Sequence, residues 1–222
     1  MRQMILLLKF IVLFNFCNAQ SDTVFNQKDV NGLRQGYWKV TMTDIKGRTY
    51  LYAIEVYKDN KKNGLCFYYY PNGKKQSEIS YRNDTLNGLS KYYRSYGVIQ
   101  YEENFIDGKS HGFKRYYNTS GELAEEQEYT DGAVTGTYNL YSKKQNIIVT
   151  SYNINGIENG VRKVYSDNNK KELLKEFDFT NGIRVGARYY KNGKLIKEEK
   201  FNYEEELKKD KELQTKSKTV DG

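Results

Sequence analysis

The 222-residue chain contains two cysteines, one proline, one histidine and one tryptophan, and each scarcity excludes something. Of the cysteines, Cys17 lies in the opening apolar segment and Cys66 stands alone beyond it. Once that segment is removed no intramolecular disulfide can form, so the fold must hold by packing. His111 has no Cys, His or carboxylate cluster at ligand spacing around it, which argues against a metal site and against an obvious catalytic base. No glycine-rich loop opens a helix, so a phosphate cradle is not expected either. Cys66 has no neighbour that would activate it as a nucleophile. The residues therefore imply no enzyme and no cofactor.

Long hydrophobic runs are also missing, with one exception at the start. MRQMILLLKFIVLFNFCNAQ carries Arg2, an apolar stretch from Met4 to Phe16 broken by Lys9, and a small-residue exit at Cys17-Asn18-Ala19. This is the pattern of a secretory signal covering residues 1–19. A membrane-spanning helix would need roughly 20 apolar residues without a lysine in the middle. Bulky Phe14 and Phe16 before Cys17 fit a lipidation signal poorly. Loss of Arg2 and Lys9 with the signal lowers the formal net charge from +8 to +6. That is not the charge density of a nucleic-acid binder.

What the chain does have is 18 glycines and 22 tyrosines, and they recur. Aligned on the glycine before each apolar or aromatic run, the anchors are Gly36, Gly64, Gly88, Gly112, Gly136, Gly160 and Gly186. Four successive intervals, from Gly64 to Gly160, are 24 residues each. Ahead of the anchors lie Asn31-Gly32, Asp107-Gly108, Asp131-Gly132, Asn155-Gly156 and Asn181-Gly182, the favoured chemistry of two-residue hairpin turns. Asn60 and Asp84 take the glycine's place in copies two and three. Gly73, Gly97 and Gly121 mark a second turn nine residues after the anchor. The segments between turns are too short for helices and rich in Tyr, Phe, Ile and Val, so each copy reads as a β-hairpin. The spacing predicts an all-β fold: one elongated antiparallel sheet of about seven hairpins, or about fourteen strands, roughly 65 Å across at 4.8 Å per strand.

Period-two alternation assigns faces. Leu65, Leu89, Phe113 and Val161 share parity with the tyrosine column Tyr69, Tyr93, Tyr117, Tyr141 and Tyr165, and that parity is expected to be packed. The opposite parity holds Cys66, Ser90, Lys114 and Arg162 beside Tyr68, Tyr92 and Tyr116, and is expected to be exposed. Glu78, Glu102 and Glu126 recur as a solvated acidic ladder. The row Tyr68, Tyr92, Lys114 and Tyr116 is the candidate partner-binding surface, weighed against ordinary cross-strand packing. His111 reads as a turn residue, since Asn63, Asn87 and Asn159 occupy its column.

The chain divides into a signal at 1–19, an N-terminal linker at 20–30, the repeat domain at 31–202 and a charged segment at 203–222. The last has Glu204/Lys208 and Glu205/Lys209 at helical spacing. It is expected to be either a frayed tail or a short helix, and the helix, covering the last strand edge, is favoured.

The stretches DGKSHGFKRYY, KKNGLCFYYYPNG and TLNGLSKYYRSYG resemble MORN repeats, in particular the bacterial variant found in MORN-like antitoxin components. The resemblance runs from residue 31 to about 201. Most copies lack the Tyr-x-Gly-x-aromatic start of the better-known pattern. It implies a scaffold or interaction surface for proteins, sometimes lipids. The expectation is therefore an exported, non-enzymatic scaffold in the periplasm, at the cell surface or secreted, with a protein partner, no nucleic acid and no metal. Alternatives are an antitoxin or immunity protein, and an envelope structural or glycan-binding scaffold with membrane or cell-wall association.

Overall fold

The computed structural model describes residues 24–168 and 170–218, and side chains through residue 212. The expected signal, 1–19, lies outside them. Fourteen strands of six to ten residues form seven hairpins, and the two arms of each are antiparallel. Hairpin 1 is Arg34–Thr43 with Thr49–Lys58, and hairpin 2 is Gly64–Tyr69 with Lys75–Arg82. Hairpin 3 is Gly88–Tyr93 with Ile99–Ile106, and hairpin 4 is Gly112–Tyr117 with Leu123–Thr130. Hairpin 5 is Ala133–Tyr141 with Ile147–Ile154, and hairpin 6 is Gly160–Tyr165 with Leu173–Thr180. Hairpin 7 is Ile183–Lys191 with Lys194–Lys200. Each hairpin pairs antiparallel with the next, so the sheet follows chain order. Within the segment expected as a linker, Gln27–Lys28 pair with hairpin 1.

Two turn types punctuate this array. Between hairpins, pairs such as Asn83-Asp84, Asp107-Gly108 and Asp131-Gly132 have both central residues at positive φ. That is the backbone twist a two-residue hairpin turn requires. Asn60 and Asp84, at φ 65, enter the left-handed region in glycine's place. These turns are also tied to one another: the Asp84, Gly108, Gly132, Gly156 and Gly182 amides donate to Lys62, Leu86, Ser110, Val134 and Glu158 carbonyls one repeat back, at 2.7–2.9 Å.

The anchor glycines form a different feature. Lys61–Lys62, Thr85–Leu86, Lys109–Ser110 and Ile157–Glu158 are two-residue strands that a single residue separates from the following long arm. That residue, Asn63, Asn87, His111 or Asn159, donates its amide to the preceding arm at 2.8–2.9 Å. The anchor then follows at positive φ, as at Gly64 (124°) and Gly88 (102°). This is a repeated bulge. His111 is thus part of the backbone punctuation, as its column implied.

The sheet has two faces, and the expected assignment of them is reversed at several positions, although Tyr116 is exposed as its parity implied. Cys66 and Ser90 are 0% exposed, and Tyr68 is buried with them, whereas Leu65, Leu89 and Val161 are 39, 42 and 38% exposed. The reason lies in the single layer. With no second layer over the strands, burial comes from same-face neighbours on adjacent strands. Ala53 lies opposite Tyr68 and Ser77 between Tyr68 and Tyr92, while Cys66 and Ser90 face Ile79 and Glu103, and these larger side chains cover the small ones. Leu65 and Leu89 face Ser80 and Asn104 across the pairing, which are too small to cover them. Side-chain hydropathy alone therefore picked the wrong parity.

The C-terminal helix, Tyr203–Lys218, is real and longer than a cap of one or two turns. Asn202 caps it, its Oδ1 accepting from the Glu204 and Glu205 amides at 3.0 and 3.3 Å. Glu204, Glu205 and Glu206 fill the first turn, where the helix dipole favours acids. Its resolved ion pair is Lys209–Glu206 at 2.6 Å, one residue off the expected spacing. The helix packs against Ile183–Lys191 and does not cover the final strand edge. Lys194–Lys200 stays largely exposed, and Lys194, Lys197 and Lys200 there discourage another chain from pairing.

Candidate functional site

The face that buries Cys66 and Ser90 carries the aromatic rings, and it brings three of the four candidate residues together. Tyr92 pairs with Tyr101 across hairpin 3, and Tyr101 with Tyr116 across the junction to hairpin 4. The first two rings are stacked at 4.3 Å with 14° between planes, and the third is tilted at 5.7 Å. Lys114 lies 5.1 and 5.3 Å from the Tyr101 and Tyr116 ring centres. Its ammonium also pairs with Glu103 at 3.0 Å. Burial would pull the lysine down, but the hydrogen bonds to Glu103 and Tyr116 outweigh it and hold Lys114 above its usual range. Burial pushes Tyr92 up to about 12. The lysine is charged and the Tyr92 and Tyr101 phenols, both held above their usual range, are neutral across the physiological range.

Tyr68 belongs to a second cluster two strands away. Its hydroxyl donates to Glu55 at 3.2 Å, as does that of Tyr57 at 2.8 Å. Lys62 completes the set, 2.6 Å from Glu55 and 2.9 Å from the Tyr68 hydroxyl. Burial raises Glu55, but Lys62 and the two phenols more than reverse this and its carboxyl lies below the ordinary value. Buried ion pairs with this many hydrogen bonds specify a geometry more than they add stability. Tyr68 is therefore a packing residue, while Tyr116, at 36% exposure, is the accessible end of the stack.

Two members were not singled out in the sequence, Tyr101 and Glu103. Both lie on the returning strand Ile99–Ile106, where the register within hairpin 3 sets Tyr101 against Tyr92 and the pairing with hairpin 4 brings Glu103 to Lys114. The bulge between Tyr92 and Tyr93 shifts that register by one residue.

The opposite face carries a ladder, and it is not the solvated one expected. The Tyr93, Tyr117 and Tyr141 hydroxyls donate to Glu78, Glu102 and Glu126 of the preceding hairpin at 3.1, 3.0 and 2.6 Å. Tyr190 makes the same bond to Glu176 at 2.7 Å. Basic side chains fill the gaps: Arg115 reaches Glu102 at 3.5 Å and Glu126 at 3.2 Å, and Arg188 reaches Glu176 at 2.8 Å. The side chains of Glu78, Glu102 and Glu126 are 19, 14 and 12% exposed, so they are shielded, not solvated. Burial raises Glu126, yet Tyr141, Asn139 and Arg115 together bring it below the usual carboxylate range. Thr150 occupies the glutamate's column in hairpin 5 and leaves one rung missing opposite Tyr165.

Hairpin 5 interrupts the pattern on the ring face too. A groove of about 420 Å³ opens there, lined by Gln127, Tyr138, Leu140, Val149, Ser151, Asn153, Glu158 and Arg162. On the ladder face a second hollow of about 360 Å³ lies against Tyr141, Ile147, Thr150 and Tyr165. Among the described residues no group of three or more His, Cys, Asp or Glu side chains could hold a metal ion. Among them also, no helix is long and apolar enough to cross a membrane.

Comparison with curated protein sequences gave no match. Among solved structures, the crystal structure of accessory secretory protein 1,2 and 3 in Streptococcus pneumoniae aligns at 14% identity with a TM-score of 0.28. The alignment covers 55% of this chain and 22% of that one, so the chain spans about a fifth of its length. Residues 62–83, both arms of hairpin 2 with the turn between them, match the family model for the MORN repeat variant. The matched stretch is one of seven units that recur along the sheet, and it is this unit that is similar to the MORN repeat variant.

Proposed function

We propose that the chain is an exported, non-enzymatic repeat scaffold that works through protein–protein contact in the cell envelope. The signal-like opening segment motivates the location. The observation that carries the interaction is the Tyr92–Tyr101–Tyr116 stack with the Lys114–Glu103 ion pair beside it, an aromatic patch near the middle of the sheet. Aromatic rings with few rotatable bonds are the residues that dominate binding energy at protein interfaces. Tyr116 is the contact residue at its rim, and Tyr101 and Glu103 hold Lys114 in place behind it.

The test is a pull-down from envelope extract with the wild-type repeat domain and with Tyr116→Ser. A specific partner retained by the wild type and lost from the variant, with the β circular-dichroism signal unchanged, supports the reading. Equal retention by both removes the patch from the interface. Recovery of the chain in the cytoplasmic fraction with residues 1–19 still attached removes the envelope from the account.

A further inference from the structure

We infer that the groove on hairpins 4 to 6 is a saccharide subsite, one that takes an uncharged sugar unit. The argument begins with the repeat itself, which supplies an internal reference for each position. On the ring face, the position held by Asn153 is held by Tyr81, Phe105, Tyr129 and Phe179 in the other hairpins, since each pairs with the corresponding position of a neighbouring arm. Likewise Leu140 stands in the row of Tyr92 and Tyr116. Hairpin 5 thus lacks a ring at the Asn153 position, which Tyr129 and Phe179 fill in hairpins 4 and 6, and at the Leu140 position, where hairpin 6 also has only Val164; the 420 Å³ groove lies over these smaller side chains. That volume is within the range of small-ligand sites.

The chemistry of the lining decides what fits. Leu140, Val149 and the Tyr138 ring provide an apolar surface for the C–H face of a sugar ring. Gln127, Ser151 and Asn153 offer two amides and a hydroxyl that make no side-chain hydrogen bonds among the described residues, and each can both donate and accept. Arg162 closes one wall, its Nε 2.8 Å from Glu158 and its terminal nitrogen on the other oxygen of the same carboxylate, with its guanidinium 4.8 Å from the Phe179 ring. The pair is electrically neutral and bidentate, so it leaves no free charge to hold an anion. Glu125, opposite Leu140 in the pairing, adds repulsion against one. A ligand with vicinal hydroxyls and no formal charge satisfies all of these groups, whereas a phosphate or a carboxylate satisfies few.

This inference does not depend on the protein contact at Tyr116, because the groove has its own lining. Saturation-transfer NMR with N,N′-diacetylchitobiose and with cellobiose is the direct test, with glucuronate as the anionic comparison. The expected result is saturation transfer to at least one neutral disaccharide, with a Kd on the order of millimolar, and none to glucuronate. Asn153→Tyr, which refills the column as in the other hairpins, should weaken binding about tenfold or more while keeping the β signal. Gln127→Ala, which leaves the column untouched, should weaken it in the same direction and serves if Asn153→Tyr fails to fold. Absence of transfer from both neutral probes, preference for glucuronate, or unchanged binding in a folded variant overturns the assignment.

Discussion

The tyrosine–glutamate ladder makes a prediction with its own control built into the chain. In Tyr141→Phe only a hydroxyl is lost, and with it one of three donors to Glu126. The bond is 2.6 Å long, and the carboxylate it serves is 12% exposed and also held by Asn139 at 2.9 Å and Arg115 at 3.2 Å. A hydrogen bond to a charged group contributes about 1.5–3 kcal/mol net. The two remaining donors retain part of the stabilisation of Glu126, so the expected cost is about 1–2 kcal/mol. Tyr165→Phe removes the same atom at the same column, but Thr150 stands where the carboxylate would be, and the expected cost is within about 0.5 kcal/mol. Because stability in such an array is close to a sum over neighbouring units, the Tyr141 loss should be local. Hydrogen exchange read strand by strand is the assay. Amides of hairpins 4 and 5 should exchange about tenfold faster in Tyr141→Phe, since 1.4 kcal/mol is a factor of ten, and those of hairpins 1 and 2 should not change. Equal effects from the two substitutions would refute the claim that the carboxylate, not the ring, is what the hydroxyl serves.

Three further outcomes follow from the same structure. Glu55, Glu78, Glu126 and Glu176 all sit below their ordinary value, so their contribution is fully present above the unfolded carboxylate range and is lost as pH falls through the lower folded values; a urea midpoint that is flat from neutral to mildly acidic pH and falls below about pH 4.5 is expected, and a midpoint that rises on acidification would contradict it. Gly88→Ala places a Cβ 3.2 Å from the Ser80 side chain at φ +102°, and should cost about 2 kcal/mol or more in a thermal melt, whereas Gly97→Ala, at a turn with more room, should cost less. The Cys66 thiol is 0% exposed and burial pushes its pKa up, so it should resist alkylation in the native protein and react on unfolding; fast labelling of the folded chain would show that hairpins 1 and 2 do not close over it.

How much of this was legible in the sequence depends on which physical signal each feature leaves. The hairpins were, because turns are local: Asn, Asp and Gly at fixed offsets state a positive φ, and all of the inter-hairpin turns adopt it. The number of long strands followed from the same count. The faces were not, because exposure in a one-layer sheet depends on what stands on the adjacent strand. Leu89 has an apolar side chain and remains 42% exposed opposite Asn104, while polar Ser90 is 0% exposed opposite Glu103. The acid ladder failed for the same reason: Glu126 was read with its own repeat, but its partner Tyr141 comes from the next one. The groove does leave a trace in the sequence, since Asn153 breaks a column that is otherwise aromatic.

The sheet is proposed to meet a protein through the ring face at Tyr116. A photo-crosslinking amino acid at position 116, and at Leu89 on the opposite face as the reference, tests it in intact cells. One discrete adduct to a protein from position 116 and none from position 89 is the result the account predicts. Adducts from position 89 alone, or from neither, would contradict it.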